Sequence, residues 1–374
     1  MTLTALTGCD VHDGERLYAG AVLLLDGGTC AGIVDRVPQG AAVRAMGGGV
    51  LCPGFVDLQV NGGGGVMFNG APDIVTLRTI AAAHRKLGTT ALLPTLITDR
   101  REVSQAAIAA VANAVAQGVQ GIIGLHLEGP HLSVARKGAH DPALIRPLDA
   151  DDMAMLCDAA SQLPNLMLTV AAETVTPAQI EALTAAGVIV SLGHSDAGYD
   201  MCRTAFAAGA RCTTHLYNAM SGLGHREPGL VGATLDGTGA AGLIADGVHV
   251  HPVAIRTALR CKAAGAIFLV TDAMAPAGTD LTEFTLNGRM IRRDGGQLRL
   301  TDGTLAGADL SFPQAIGNMV ERVGLTREAA IAMACTAPAR VLRQPGHAGH
   351  LRTGDACDVV HLSDDLTKVR VVTG

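Results

Sequence analysis

Eight short, β-rich, nearly continuously apolar segments recur along the middle of the chain, with helical patterns between most of them. They cover 54–61, 89–97, 121–129, 166–173, 188–194, 211–219, 240–250 and 266–273. A run without polar alternation fits a strand buried on both faces, as in a parallel sheet covered by helices. Helical patterns occupy 74–87, 101–117, 150–163, 177–186, 199–208 and 252–264. Pro177 after Thr176, and Pro252, are start signals, and Gly88, Gly118, Gly187, Gly209 and Gly265 sit where helices should stop. After the sixth segment, 225–235 contains Gly and Pro and reads as a loop, so that unit is expected to be irregular. Eight alternations predict an α/β fold, a (β/α)8 TIM-type barrel over 53–344, ahead of a doubly wound sheet.

The ends differ in character. Residues 1–52 carry short strands at 18–25 and 29–34 around the hairpin signal Asp26-Gly27-Gly28, and 357–362 and 368–372 repeat that pattern. Neither end is long enough for its own core, so 1–52 and 345–374 are expected to pair into a small β-sandwich-like domain. A β-hairpin insertion is expected near 279–305, with turns at Asn287-Gly288 and Asp294-Gly295-Gly296, and helices at 311–323 and 326–342 should close the barrel.

Composition narrows the function. Apolar residues are 48% and charged residues 17%, enough to bury a core, while aromatics are only 2% and Trp is absent. The core must be aliphatic, and sugar recognition by stacked Trp is excluded. A net charge of −6 argues against nucleic-acid and anionic-membrane partners. Nine Cys without a Cys-x-x-Cys pair argue against a disulfide framework and for a reducing compartment. With no signal-like start and no bilayer-length apolar run, the expectation is a cytoplasmic protein.

Polar residues gather at the C-terminal ends of the predicted strands, where barrel active sites are built. The third ends in His126-Leu127-Glu128-Gly129-Pro130, the fifth in Gly193-His194-Ser195, and the eighth in Thr271-Asp272, while the sixth carries Thr214-His215-Leu216. Glu128, His194 and His215 form a ligand set for a catalytic divalent metal with an open position; Zn²⁺ fits best by ligand softness, and Fe²⁺, Co²⁺ or Mn²⁺ also fit. Asp272 is then the free base, against the plainer reading of a helix cap or structural carboxylate. His140, on the loop after the third strand, could polarise a substrate carbonyl or simply be solvated. His249 ends the seventh strand and points at the same mouth. His126 is expected as a supporting or core group, and His131 and His251 as structural or surface residues. Arg226 suits an anionic substrate such as a phosphate ester, and a solvated Arg or one paired with Glu227 fits equally well. The run Gly62-Gly63-Gly64-Gly65 lacks the Lys-Ser/Thr of a phosphate loop and is expected to let backbone approach the metal site or ligand.

At these residues the chain resembles the N-acetylglucosamine-6-phosphate deacetylases, a branch of the amidohydrolase superfamily. The motifs are Pro53-Gly54-Phe55-Val56-Asp57-Leu58-Gln59-Val60-Asn61-Gly62, His126-Leu127-Glu128-Gly129-Pro130, Gly193-His194-Ser195 and Thr214-His215-Leu216-Tyr217-Asn218-Ala219-Met220. Arg226-Glu227-Pro228-Gly229, Ile244-Ala245-Asp246-Gly247-Val248-His249 and Val270-Thr271-Asp272-Ala273-Met274-Ala275-Pro276-Ala277-Gly278 continue the match. It runs in order from about Leu51 to Gly307. The resemblance implies Glu128, His194 and His215 as metal ligands, Asp272 as general base and then acid, and His140, with Ala139 beside it, near the acetamide. Asn218, Ala219, Arg226 and His249 map to the sugar-phosphate site, and Leu305, Ala306 and Gly307 to a substrate-contacting loop. Arg226's counterpart comes from a neighbouring subunit, which implies a homodimer.

Where most of the superfamily has His-x-His for a second metal, this chain has Gln59-Val60-Asn61, which implies one metal per chain. The implied reaction is hydrolysis of N-acetylglucosamine 6-phosphate to glucosamine 6-phosphate and acetate, in amino-sugar catabolism. The alternatives are a related amidohydrolase acting on another N-acyl or cyclic amide, and a non-catalytic barrel that would have lost the ligand set or Asp272.

Overall fold

The computed structural model describes residues 3–372; residues 1, 2, 373 and 374, which belong to the expected small domain, lie outside the described residues. Eight parallel strands form one sheet: β1 (Phe55–Val60), β2 (Thr89–Ile97), β3 (Leu125–Glu128), β4 (Leu166–Val170), β5 (Ile189–Leu192), β6 (Cys212–Thr213), β7 (Ala240–Leu243) and β8 (Ile267–Leu269). Their spatial order is their chain order. All nine residues of β2 are buried, as a strand between helices requires. The barrel closes between β8 and β1 through single contacts instead of a ladder. Asp272 N–H donates to the Gln59 carbonyl at 3.1 Å and Asn61 N–H to the Ala273 carbonyl at 2.8 Å. The expected (β/α)8 barrel is therefore the fold.

Helices α1 (Ile74–Lys86), α2 (Arg101–Ala116), α3 (Ala150–Gln162), α4 (Pro177–Ala186), α5 (Tyr199–Ala207), α6 (Gly229–Asp236) and α7 (Pro252–Cys261) follow β1 to β7. The sequence signals for α4 hold in detail. Thr176 and Gln179 form a reciprocal capping box, Pro177 opens the helix, and Gly187 ends it at φ 96°. Helix α7 stops short of the expected 264 because Lys262 leaves the helix and donates to the carbonyls of Thr234 and Gly237.

Several expectations are corrected. The segment read as a loop at 225–235 contains α6, in which every residue from Gly229 to Leu235 is buried. A helix buried on every side shows no amphipathic stripe, so periodicity could not reveal it. The strands from β4 to β8 also end earlier than expected, most of all β6, β7 and β8, which span two, four and three residues. Apolar character persists beyond the ladders, but the backbone turns: φ is 30° at His215 and 50° at Asp272. Near the C-terminal end, the expected helix at 311–323 becomes α8 (Phe312–Asn318) and a π turn over Met319–Val323. The expected helix at 326–342 breaks at Cys335 into α9 (Arg327–Ala334) and α10 (Thr336–Ala339).

The terminal segments form two sheets. A four-stranded sheet includes the hairpin Val22–Asp26 with Thr29–Val34, and a five-stranded sheet pairs Val50–Pro53 with Val359–Leu362, itself antiparallel to Val369–Val372. Between β8 and α8, a three-stranded antiparallel meander is built from Glu283–Leu286, Arg289–Asp294 and Gln297–Leu300. Phe284, Leu286, Ile291 and Leu298 from the meander pack with Met67, Ile97 and Met274 from the barrel mouth. This contact seats the meander beside the strand ends.

Candidate active site and metal centre

A cavity of about 530 Å³ opens at the C-terminal ends of the barrel strands. Glu128, the last residue of β3, is buried, as are His194 and His215, just past β5 and β6. Their ligand atoms lie within 4.8 Å of one another. The Glu128 Oε1 is 3.0 Å from His215 Nε2 and 3.3 Å from His194 Nε2, and the two Nε2 atoms are 3.1 Å apart. His194 donates from Nδ1 to the Arg136 carbonyl at 2.8 Å, which leaves its Nε2 lone pair facing the other two ligands. A single proton can bridge only one pair of these three atoms, whereas a cation satisfies all of them. The donor set therefore fits a divalent metal.

The positions are set by unusual backbone. Among the described residues, five of the seven non-glycine residues with positive φ lie in this region: His194, His215, Tyr217, Ala219 and Asp272. Such conformations cost of order 1–3 kcal/mol each and persist where the surroundings enforce them. They turn His194, His215, Ala219 and Asp272 off the strand direction and into the mouth, while Tyr217 donates from its hydroxyl to the Ala254 carbonyl.

Asp272 lies across the cavity with different neighbours. It is buried, and Asn61 Nδ2 donates to its Oδ1 at 2.6 Å. Burial and the nearby Glu128 charge raise its pKa to about 6, against the opposing influence of His215 and Asn61. Burial acts to raise the pKa of Glu128 too, but its close contacts with His194 and His215 prevail and hold it well below the usual carboxylate range. Gln59 Nε2 donates to Glu128 Oε1 at 3.0 Å. The two amides read as replacements for second-metal ligands thus bind the two carboxylates instead.

His140 is buried, and burial, followed by its closeness to His194, holds its pKa well below the usual value, so it stays neutral. Its Nδ1 is 2.7 Å from Thr98 Oγ1. Thr98 Oγ1 also lies 3.1 Å from the Glu128 carbonyl, so its single proton serves one of two acceptors; when it goes to His140 Nδ1, Nε2–H is free to donate into the cavity. Ala139, Asn218, Ala219, His249, Leu305 and Gly307 also line the cavity. Ala306 does not: its side chain is fully buried in the cluster between meander and mouth, because neighbouring residues of the extended segment face opposite ways. Arg226 is also absent from the lining; it is exposed on the loop before α6. His126 is a core residue hydrogen-bonded to Thr169, His131 is buried against the Arg146 carbonyl, and His251 caps α7.

The glycine run corrects another expectation. None of Gly62 to Gly65 lines the cavity. A Cβ on Gly62 would lie 2.5 Å from the Val66 carbonyl oxygen, and one on Gly63 2.9 Å from the His84 ring. The glycines admit close packing at the barrel seam.

Several supporting residues had no separate signal in the sequence. Asp57 is buried beneath Asp272 and accepts hydrogen bonds from Thr271 Oγ1 at 2.5 Å and from the Thr271 and Gln59 N–H groups. Burial raises its pKa to about 7. Asp246 accepts from His249 Nδ1 at 2.6 Å and fixes that ring. The one available clue was position, since Asp57 and Asp246 both lie inside the motif segments.

The amidohydrolase family model matches residues 50–373. A protein of Shewanella sp. (strain ANA-3) described as N-acetylgalactosamine-6-phosphate deacetylase is 46% identical over 318 residues, covering 85% of this chain and 80% of that one. N-acetylglucosamine-6-phosphate deacetylase of Haemophilus influenzae is 33% identical over 355 residues, covering 94% and 92%. The crystal structure of N-acetylglucosamine-6-phosphate deacetylase from Pasteurella multocida superposes with a TM-score of 0.94 at 33% identity, over the whole of both chains.

Proposed function

The chain belongs to the amidohydrolase family, and we propose that it removes the acetyl group from an N-acetylhexosamine 6-phosphate. N-acetylglucosamine 6-phosphate is the substrate of the primary reading, with glucosamine 6-phosphate and acetate as products, in amino-sugar catabolism. The observation that carries this reading is the pairing of a three-ligand cluster with a separate, unligated carboxylate in one sugar-sized cavity. A second reading, the C4 epimer N-acetylgalactosamine 6-phosphate, is favoured by the 46% identity to the Shewanella protein.

Glu128, His194 and His215 would hold one divalent ion, with Zn²⁺ the first choice. The ion supplies Lewis acidity and makes a water acidic enough to react at neutral pH. Asp272 takes the proton of the attacking water on its carboxylate, and Asn61 keeps that carboxylate oriented. His140 donates from Nε2–H to the acetamide oxygen as negative charge develops there. Asp272 then returns the proton to the departing nitrogen, which leaves as an amine. Ala139, Asn218, Ala219, His249, Leu305 and Gly307 surround the sugar, and the backbone at Ala306 completes that loop.

The same reading divides the chain into a barrel at 53–344, with the insertion at 279–305, and a small domain at 1–52 and 345–374. It makes the protein a cytoplasmic homodimer in which Arg226 reaches the neighbouring subunit's phosphate site. The exposure of Arg226, outside its own cavity, supports that role. Among the described residues no helix is long and apolar enough to cross a membrane.

Acetate release by the metal-loaded enzyme tests the reading. Both epimeric sugar phosphates are assayed beside unphosphorylated N-acetylglucosamine. A clear preference for phosphorylated sugars is expected, with the faster epimer identifying the substrate. No acetate from either phosphate contradicts the proposal. Mixing Arg226→Ala with Asp272→Asn subunits should restore activity, and failure after verified exchange argues against a shared site.

A further inference from the structure

We propose that Arg299, on the last strand of the meander, binds the substrate's phosphate from within the same chain. This inference rests on the sugar-phosphate reading above. Two arginines line the cavity among the described residues. Arg136 is compensated: its Nε donates to the Asp196 carboxylate at 2.7 Å. Arg299 has only neutral partners. Its Nε and Nη2 donate to Gln297 Oε1 at 2.9 and 2.6 Å, and its Nη1 donates to the Gly303 carbonyl at 2.6 Å. Among the described residues its positive charge has no ion-pair partner.

The guanidinium is also held in place before a ligand arrives. A guanidinium carries five N–H donors, and three are used in these bonds. Two remain, one on each terminal nitrogen, enough for a two-point contact with a phosphate. Arg299 pairs with Leu305 across a tight antiparallel bridge. Cross-strand partners face the same side, and both line the cavity. The platform is anchored to the site at its other strand as well. Arg289 donates from Nη2 to the Ala139 carbonyl at 2.5 Å, next to His140. The meander thus contributes a fixed cation to the mouth in addition to any Arg226 supplied by a neighbour.

The test uses the metal-loaded full-length enzyme with Arg299→Gln and Arg299→Lys. For Arg299→Gln, the KM for the preferred sugar phosphate should rise about tenfold or more with kcat changed far less, the signature of lost ground-state binding. Its preference for phosphorylated over unphosphorylated sugar, measured as a kcat/KM ratio, should fall by about the same factor. Calorimetric binding of inorganic phosphate should weaken in parallel, and Arg299→Lys should recover part of the loss. Arg299 is exposed, so thermal unfolding should hardly change. Unchanged KM and phosphate affinity in a folded Arg299→Gln protein overturn the proposal. If wild type releases no acetate from any sugar phosphate, the functional reading fails; the phosphate titrations still decide whether Arg299 binds the anion.

Discussion

Two sides of the same mouth hold a buried carboxylate each, and their surroundings push them in opposite directions. At β3, β5 and β6, Glu128 is met by two imidazoles and stays ionised far below its ordinary range. At the β8–β1 seam, Asp272 is met by an amide and by the field of Glu128, and burial lifts it to about 6. Groups of one chemical type, separated by environment, are suited to a ligand on one side and a proton carrier on the other. The seam is also where the barrel ladder is interrupted, so Asp272 is placed by side chains and single backbone bonds instead of by strand pairing.

Substitutions on each side should break this contrast differently. Glu128→Gln removes the anionic ligand from a set of three, so the protein should lose tightly bound metal, and turnover should fall by about a thousandfold or more. Metal analysis beside kinetics checks this, and retained metal with retained turnover counts against the ligand assignment. On the ligand side too, His140→Asn should keep the metal and lose on the order of a hundredfold in kcat, the scale for one oxyanion donor. Equal loss with and without His140 in a slow thioamide substrate, whose sulfur accepts hydrogen bonds poorly, would undo that role.

The smallest effect belongs to the seam. Asn61 stabilises the charged form of Asp272 by donating to it. Asn61→Ala therefore raises the carboxyl's pKa, and the acid limb of the activity profile should move to higher pH, by up to about one unit. In the wild type that limb should lie at or below about pH 6, since burial and Glu128 set the upper bound and a cation beside them lowers it. An unshifted limb in Asn61→Ala would mean that another group sets it.

The ligand side was legible in the sequence because its chemistry sits on predictable strand ends, as Gly193-His194-Ser195 and Thr214-His215-Leu216 illustrate. The supporting bonds were not. Asp57 meets Thr271 across 214 positions, and Thr98 meets His140 across 42. Such pairs exist only once the barrel closes, and no local pattern encodes them. Strand lengths were overestimated for a related reason: apolar content says where a segment is buried, whereas positive φ at His194, His215 and Asp272 decides where it turns. Helix α6 was hidden by uniform burial. Arg299 lay in a meander whose turns were readable but whose docking against Met274 and Ile97 depends on tertiary packing.

The central claim is that metal binding and proton transfer are divided between these two sides. Asp272→Asn tests it most directly, since the change is nearly isosteric and removes only the capacity to hold a proton. Turnover and its pH profile should be measured on protein whose metal content is determined in the same sample. The account predicts about one equivalent of metal retained, turnover lower by roughly a hundredfold or more, and loss of the acid limb. Near-normal turnover with metal retained, or loss of the metal together with activity, would contradict it.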